Sequence, residues 1–399
     1  MPKTPEAPSK RHAAIALLLT MILLGVFPLD VVLPSFSALS THFNRSPADI
    51  AFSISLFAIA ISLSQLLVGP LSDTLGRKRL LLAGIAVAIV GAIGCVLADN
   101  FVWFMIFRCV QAFGCGAFVL AQALVQDLFV GKERDRLRIL MITASGVFIS
   151  TSPWVGTLLQ QALDWPGSFW VFIALASVVF IKALLLLEKS PPDPQPSRSI
   201  KQSYRLVCRN PVFIGYWLIS GLAFACHFSF IVMSPLLLMD QLALSSYTFS
   251  SVLLLYGVAY LCGGIVAQVL SHRIQASTQI NVGLLLIFAA GALMLVLTSL
   301  SGMSVLSVLP PMMVCTAGTT IARPIATSKA MDVFPQYAGT AASTGGLLVF
   351  SCGGVISALV NLSTAALPTT LAATFMMLSL ATLGLNALID RQQRVQCRG

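Results

Sequence analysis

Residues 69–79 read GPLSDTLGRKR. They join two apolar runs, IAFSISLFAIAISLSQLLV at 50–68 and LLLAGIAVAIVGAIGCVLA at 80–98. Asp73, Arg77, Lys78 and Arg79 are crowded into this short connection beside Gly69 and Gly76. A connection this polar between runs this oily is the pattern of successive membrane spans, each of which needs roughly 20 mostly apolar residues.

The whole chain repeats the pattern. It has 399 residues, of which 57% are hydrophobic and only 10% charged, with a mean hydropathy of +0.91. Globular domains carry about 25% charged residues, so a water-soluble fold would lack the polar surface to cover itself. Twelve apolar runs lie near 13–36, 48–70, 79–98, 101–127, 137–160, 167–187, 212–239, 248–270, 278–300, 304–331, 338–361 and 366–389. They read as helices, because a lone strand cannot satisfy its backbone in lipid. They are also about twice the length of a barrel strand and do not alternate. The first run is too long for a signal peptide and has no small-residue cleavage site, so it reads as an uncleaved helix.

The net charge of +10 does not point to nucleic acid. With the N-terminus inside, all but four of the 24 Lys and Arg fall in inner connections. Arg45 lies outside, and Arg108, Lys182 and Arg323 fall within spans. That bias is the positive-inside signal and predicts cytoplasmic termini. The cysteines, mostly inside spans, fit neither a disulfide framework nor a zinc site. No metal-spaced His/Glu cluster, GxSxG or GxxxxGK[ST] occurs, which argues against an enzyme and against ATP-driven pumping by this chain alone. No cofactor or metal is expected.

The longest polar connection, 188–211, is rich in Pro, Ser and basic residues and reads as a cytoplasmic linker. It divides the chain into a six-helix bundle at 1–187 and another at 212–399. Two halves of six suggest an internal repeat, with a site near the midplane where the halves meet. ALVQDLF closing span four parallels SKAMDVF closing span ten, and GGIVAQVLSHR at 263–273 is a worn counterpart of the opening stretch.

Ionisable groups inside a bilayer usually face a cavity or a partner. Asp30 in span one and Arg108 in span four each lie about 9–10 Å below the outer ends of their helices by the rise per residue, so the two can pair. Burial disfavours a charged carboxylate and a guanidinium favours it. An acid whose surroundings alternate can therefore take up and release a proton. A fixed structural ion pair, or an Asp at a broken helix end between Pro28 and Pro34, is the plain alternative. His227, mid-span seven, could titrate near neutral pH or be a neutral, hydrogen-bonded core group. Arg323, about 12 Å inside span ten, could meet an anion or snorkel. Phe27, Gln111, Gln122, His227, Phe228 and Arg323 are candidate substrate contacts.

The opening stretch resembles the signature between spans two and three of the major facilitator superfamily, G-x-L-[AS]-D-x-x-G-R-[RK]-x. The resemblance covers the whole chain and narrows further. DVVLPSF at 30–36 is similar to the first-span D-x-x-LP of the bicyclomycin/chloramphenicol-resistance (Bcr/CflA) drug:proton antiporters. Arg108, Gln111 and Gly114 match their R-x-x-Q-x-x-G, and Trp165 and Phe169 their W-x-x-x-F. Ser234-Pro235 and Ala338-Gly339-Thr340-Ala341 match their SP and AGTA. Pro153 and Gly156 match the antiporter motif of span five, with Thr157 in place of its second glycine. Gln122 and Gln126 stand where that family usually has arginines, and Arg323 and His227 are not signature residues.

The resemblance implies an all-α membrane fold of twelve helices in two pseudo-symmetric six-helix bundles. It also implies a proton-coupled exporter of small amphiphilic, drug-like compounds in a bacterial inner membrane. Gly69, Asp73, Gly76, Arg77 and Arg79 would form a cytoplasmic latch. Asp30 would exchange the proton, with Arg108 tuning it. The expected partners are a small-molecule substrate, protons and membrane lipid, with no nucleic acid, and the chain is expected to be a monomer. Export of an endogenous product such as a siderophore or nucleoside, proton-coupled uptake, and a non-transporting sensor remain open.

Overall fold

The computed structural model describes residues 8–129, 131–187, 200–334, 338–363 and 366–396, and among them there is no strand. Twelve long helices carry the chain. The first six are α1 (Pro8–Asp30), α2 (Pro47–Leu75), α3 (Arg77–Val96), α4 (Phe101–Cys115), α5 (Gly131–Leu163) and α6 (Gly167–Leu186). The second six are α7 (Pro211–Pro235), α8 (Ser246–Ser271), α9 (Ala276–Ser301), α10 (Val305–Val333), α11 (Ala338–Asn361) and α12 (Leu367–Gln396). Among the described residues, eleven stretches are long and apolar enough to cross a membrane. The span expected at 137–160 lies in α5, a 33-residue helix outside those eleven. Several side chains of its first half lie outside the described residues, among which the eleven are counted.

The Cα atoms cluster into two units, Met1–Arg45 with Ala60–Ser197, and Ser46–Ile59 with Arg198–Gly399. The first half of α2 thus groups with the second unit, where Asn361 donates to Ala48 O at 2.8 Å and Ser55 bonds Ser357. The packing pairs repeat with a step of six helices. In the first unit α1 packs on α5 and α6, and α3 on α4 and α6. In the second, α7 packs on α11 and α12, and α9 on α10 and α12. The internal repeat that the sequence only hints at is plain in these pairs. Of the connection expected at 188–211, residues 188–199 lie outside the described residues. Ile200–Cys208 within it is a helix, with Val207 buried and Tyr204 bonded to Ser343.

Proline sets where helices break, since it removes a donor and crowds the carbonyl four residues back. Span one is α1, a turn, a 3-10 segment Leu33–Ser35 and a short helix Phe36–Phe43. The break falls between Pro28 and Pro34. In α7, Pro235 cannot bond Ile231 O, and the Ser234 hydroxyl donates to it instead at 2.8 Å. The chain continues through the wider turns of Leu236–Gln241. Span four loosens at Gly116–Val119, where the Ser64 hydroxyl of α2 donates to Phe113 O. Each irregular stretch of backbone thus finds a side-chain donor, as lipid demands.

Candidate functional site

The break in α1 organises the polar site of the first unit. The last four carbonyls of a helix have no partner within it. Val31 N serves Phe27 O at 3.1 Å. Arg108 on α4 serves the next one, its Nη2 donating to Pro28 O at 3.0 Å. Its Nη1 donates to Gln111 Oε1 at 2.8 Å, one turn along α4. The Arg108 guanidinium also lies over the Phe169 ring, 5.7 Å from its centroid. Arg108 is 1% exposed and Asp30 9%. The expected pairing of these two is not present. Among the described residues the ion pair is Arg11–Glu133, and Arg108 holds backbone two residues short of Asp30. A planar fork suits this task, because it can serve two acceptors at fixed angles.

Around that fork Phe27, Pro28, Val32, Arg108, Gln111, Ser168, Phe169 and Phe172 enclose a small cavity, with about 10 Å³ for a water centre. That is room for roughly one water. Phe27 and Gln111 are therefore placed with Arg108 as expected, while the Gln122 side chain lies outside the described residues. Phe169 is fixed from behind by Trp165 at 6.1 Å and Phe104 at 6.0 Å. Helix α5 closes on the break at Gly156, where a Cβ would run into Val31 O and the Pro34 ring. The expected Pro/Gly motif thus has a steric reason at Gly156. Pro153, one turn earlier, is buried in α5.

The opening stretch is helical where a loop is expected. Helix α2 continues to Leu75, so Gly69 lies inside a helix and makes no turn. Its carbonyl accepts from the Ser72 hydroxyl at 2.7 Å. Gly76 alone makes the turn, at φ 86°, in a region other residues rarely adopt. Lys78 reaches across to the end of α6, donating to Leu184 O at 2.7 Å and to Leu187 O. It thereby caps carbonyls at the negative end of that helix. Arg79 is exposed and Arg77 half-buried, and the Asp73 side chain lies outside the described residues.

The second unit has its own polar cluster. The Tyr256 hydroxyl of α8 and His227 Nδ1 of α7 share a hydrogen bond, and their rings stack at 5.4 Å. Tyr260 lies 5.8 Å from His227. Phe224 stacks on Phe228 at 5.3 Å, and Arg323 of α10 lies over Phe224, 4.6 Å from its centroid. The same face of α10 is stitched to α7 one turn to either side, by Thr319 to Ala223 O at 3.2 Å and Thr327 to Ser220 at 3.0 Å. His227, Phe228 and Arg323 are thus brought together in one cluster of the second unit.

Sequence reasoning missed Phe224, Tyr256, Tyr260, Phe172 and Lys78 as site residues. An aromatic in an oily span carries no mark of which face it occupies. Lys78 looks like one more topology charge.

The chain matches the profile of the Major Facilitator Superfamily over residues 14–358. It is 29% identical to multidrug resistance protein D of Escherichia coli (strain K12) over 360 residues, 88% of this chain and 89% of that one. It is 25% identical to the bicyclomycin resistance protein homolog of Haemophilus influenzae over 367 residues, 88% of this chain and 90% of that one. The crystal structure of the human organic anion transporter MFSD10 (TETRAN) superposes with a TM-score of 0.70 at 16% identity, covering 95% of this chain and 100% of that one. An all-helical chain with a profile match across residues 14–358 makes this multi-pass membrane protein a member of the major facilitator superfamily, a family of transporters and not of enzymes.

Proposed function

We propose that the chain exports small amphiphilic, drug-like compounds across a bacterial inner membrane in exchange for protons. The observation that carries this reading is Asp30. It is a buried carboxyl at the break of α1, next to a carbonyl that Arg108 holds and with no ion pair of its own among the described residues. A carboxyl at a break in a membrane helix can change its surroundings when the two helix segments shift. A group in that position can bind a proton in one state and release it in the other. Similarity to a multidrug resistance protein and a bicyclomycin resistance homolog supports the substrate class. In this reading the chain acts as a monomer, with substrate, protons and lipid as its partners. The Lys and Arg bias supports cytoplasmic termini.

Each elementary charge moving inward yields about 2.3 kcal/mol per 100 mV, enough for one proton to sustain a useful outward gradient. The test uses inverted membrane vesicles energised to an acidic interior, with a dye that reports lumenal pH. Chloramphenicol-like and cationic compounds are added singly. Dequenching by members of the panel is the expected result. Silence across the panel, with the protein present and folded, points instead to uptake or to an endogenous substrate.

A further inference from the structure

The two intramembrane arginines differ in what they hold. Arg108 on the fourth helix reaches the first, and Arg323 on the tenth reaches the seventh. Arg108 is 1% exposed and donates to Pro28 O and Gln111 Oε1, so it braces the fold. Arg323 is partly exposed, and among the described residues no carboxylate pairs with it. Its contact is the Phe224 ring. A guanidinium held on a ring face, with no hydrogen bond of its own among the described residues, is a receptor for a planar oxyanion.

Its neighbours fit a ring-bearing ligand. Phe350 of α11 meets Phe224 edge-on at 5.6 Å. His227 lies 6.3 Å from the Phe224 ring and 5.8 Å from that of Tyr260. The hydrogen bond to Tyr256 engages His227 Nδ1. With the tyrosine as donor, Nε2 carries the imidazole proton and supplies a second donor. We infer that this cluster recognises organic monoanions, an aromatic ring bearing a carboxylate, with Arg323 as the anion contact and Phe224 and Phe350 beside the ring. The inference rests on the transporter reading above and names its substrate class. The energetics agree with it. Outward movement of an anion and inward movement of a proton both run with an inside-negative potential.

The test is equilibrium dialysis of three probes against the purified, detergent-solubilised chain: 1-naphthoate, 1-naphthamide and 1-naphthylmethylamine. Wild type should hold the acid at least about tenfold tighter than the amide, the scale of one charged hydrogen-bond pair. Arg323→Gln should bring the acid down to the amide and leave the amide unchanged, which also shows the variant folded. Arg323→Lys should keep part of the preference. The inference is overturned if wild type binds amide or amine as well as the acid, or if Arg323→Gln keeps the acid preference. Acid-selective binding without dequenching in vesicles removes the export reading and leaves the anion site standing. Dequenching by cations with no acid preference in binding does the reverse.

Discussion

Arg108 is the residue on which the first unit's polar site depends. Removing its fork strands Pro28 O and Gln111 Oε1, and a buried acceptor without a partner costs about 1–3 kcal/mol. Arg108→Gln should therefore lower the melting temperature of the solubilised protein clearly. Arg108→Lys should recover only part of it, because an ammonium cannot reproduce the planar two-acceptor geometry. A lysine variant as stable as wild type would show that the fork is not needed. That charged residues in oily spans matter is legible in the sequence. Their partners are not. Asp30 and Arg108 share a level, which suggests an ion pair, but the arginine's ligand is a backbone carbonyl exposed by a helix break. Backbone acceptors leave no letter in the sequence. The second cluster shows the same limit, since His227 and Arg323 stand out by charge while Phe224 and Tyr260 look like any other apolar filling.

At the level of elements, prolines and glycines write the breaks. Pro34 has no N–H to offer the Asp30 carbonyl, so Pro34→Ala should let α1 extend. The expected outcome is a protein at least as stable as wild type that transports more slowly, read by melting and by initial rates side by side. Equal rates would mean that the break is incidental. Gly156→Val places a methyl-bearing side chain against Val31 O and Pro34 and should destabilise without touching any charge. Gly76→Ala must hold a φ of 86° and should cost about 1–2 kcal/mol, whereas Gly69→Ala, inside α2, should be mild or stabilising. A larger penalty at position 69 than at 76 would count against the helical reading of the signature. The signature is legible as a motif, but its shape is not. The charges suggest a loop, while the structure makes one sharp turn at Gly76 and uses Lys78 to cap α6.

For the whole molecule, the membrane class and the all-helical fold are legible, because lipid imposes length and apolarity on every helix. The repeat is faint in the letters and clear in the packing, since what recurs is which helix touches which. The proposed orientation places both termini in the cytoplasm, so a fluorescent protein fused after Gly399 should mature and alkaline phosphatase at the same place should stay inactive. The reverse would invert the topology.

The claim that ties these scales together is that Asp30 carries the proton. It is tested in proteoliposomes by following two signals at once: exchange of labelled substrate across the membrane, and lumenal pH during net transport. The substrate is the compound giving the strongest dequenching. Wild type should show both signals. Asp30→Asn should keep exchange near the wild-type rate and show no substrate-driven pH change. A full pH signal in Asp30→Asn would contradict the account and place the proton elsewhere.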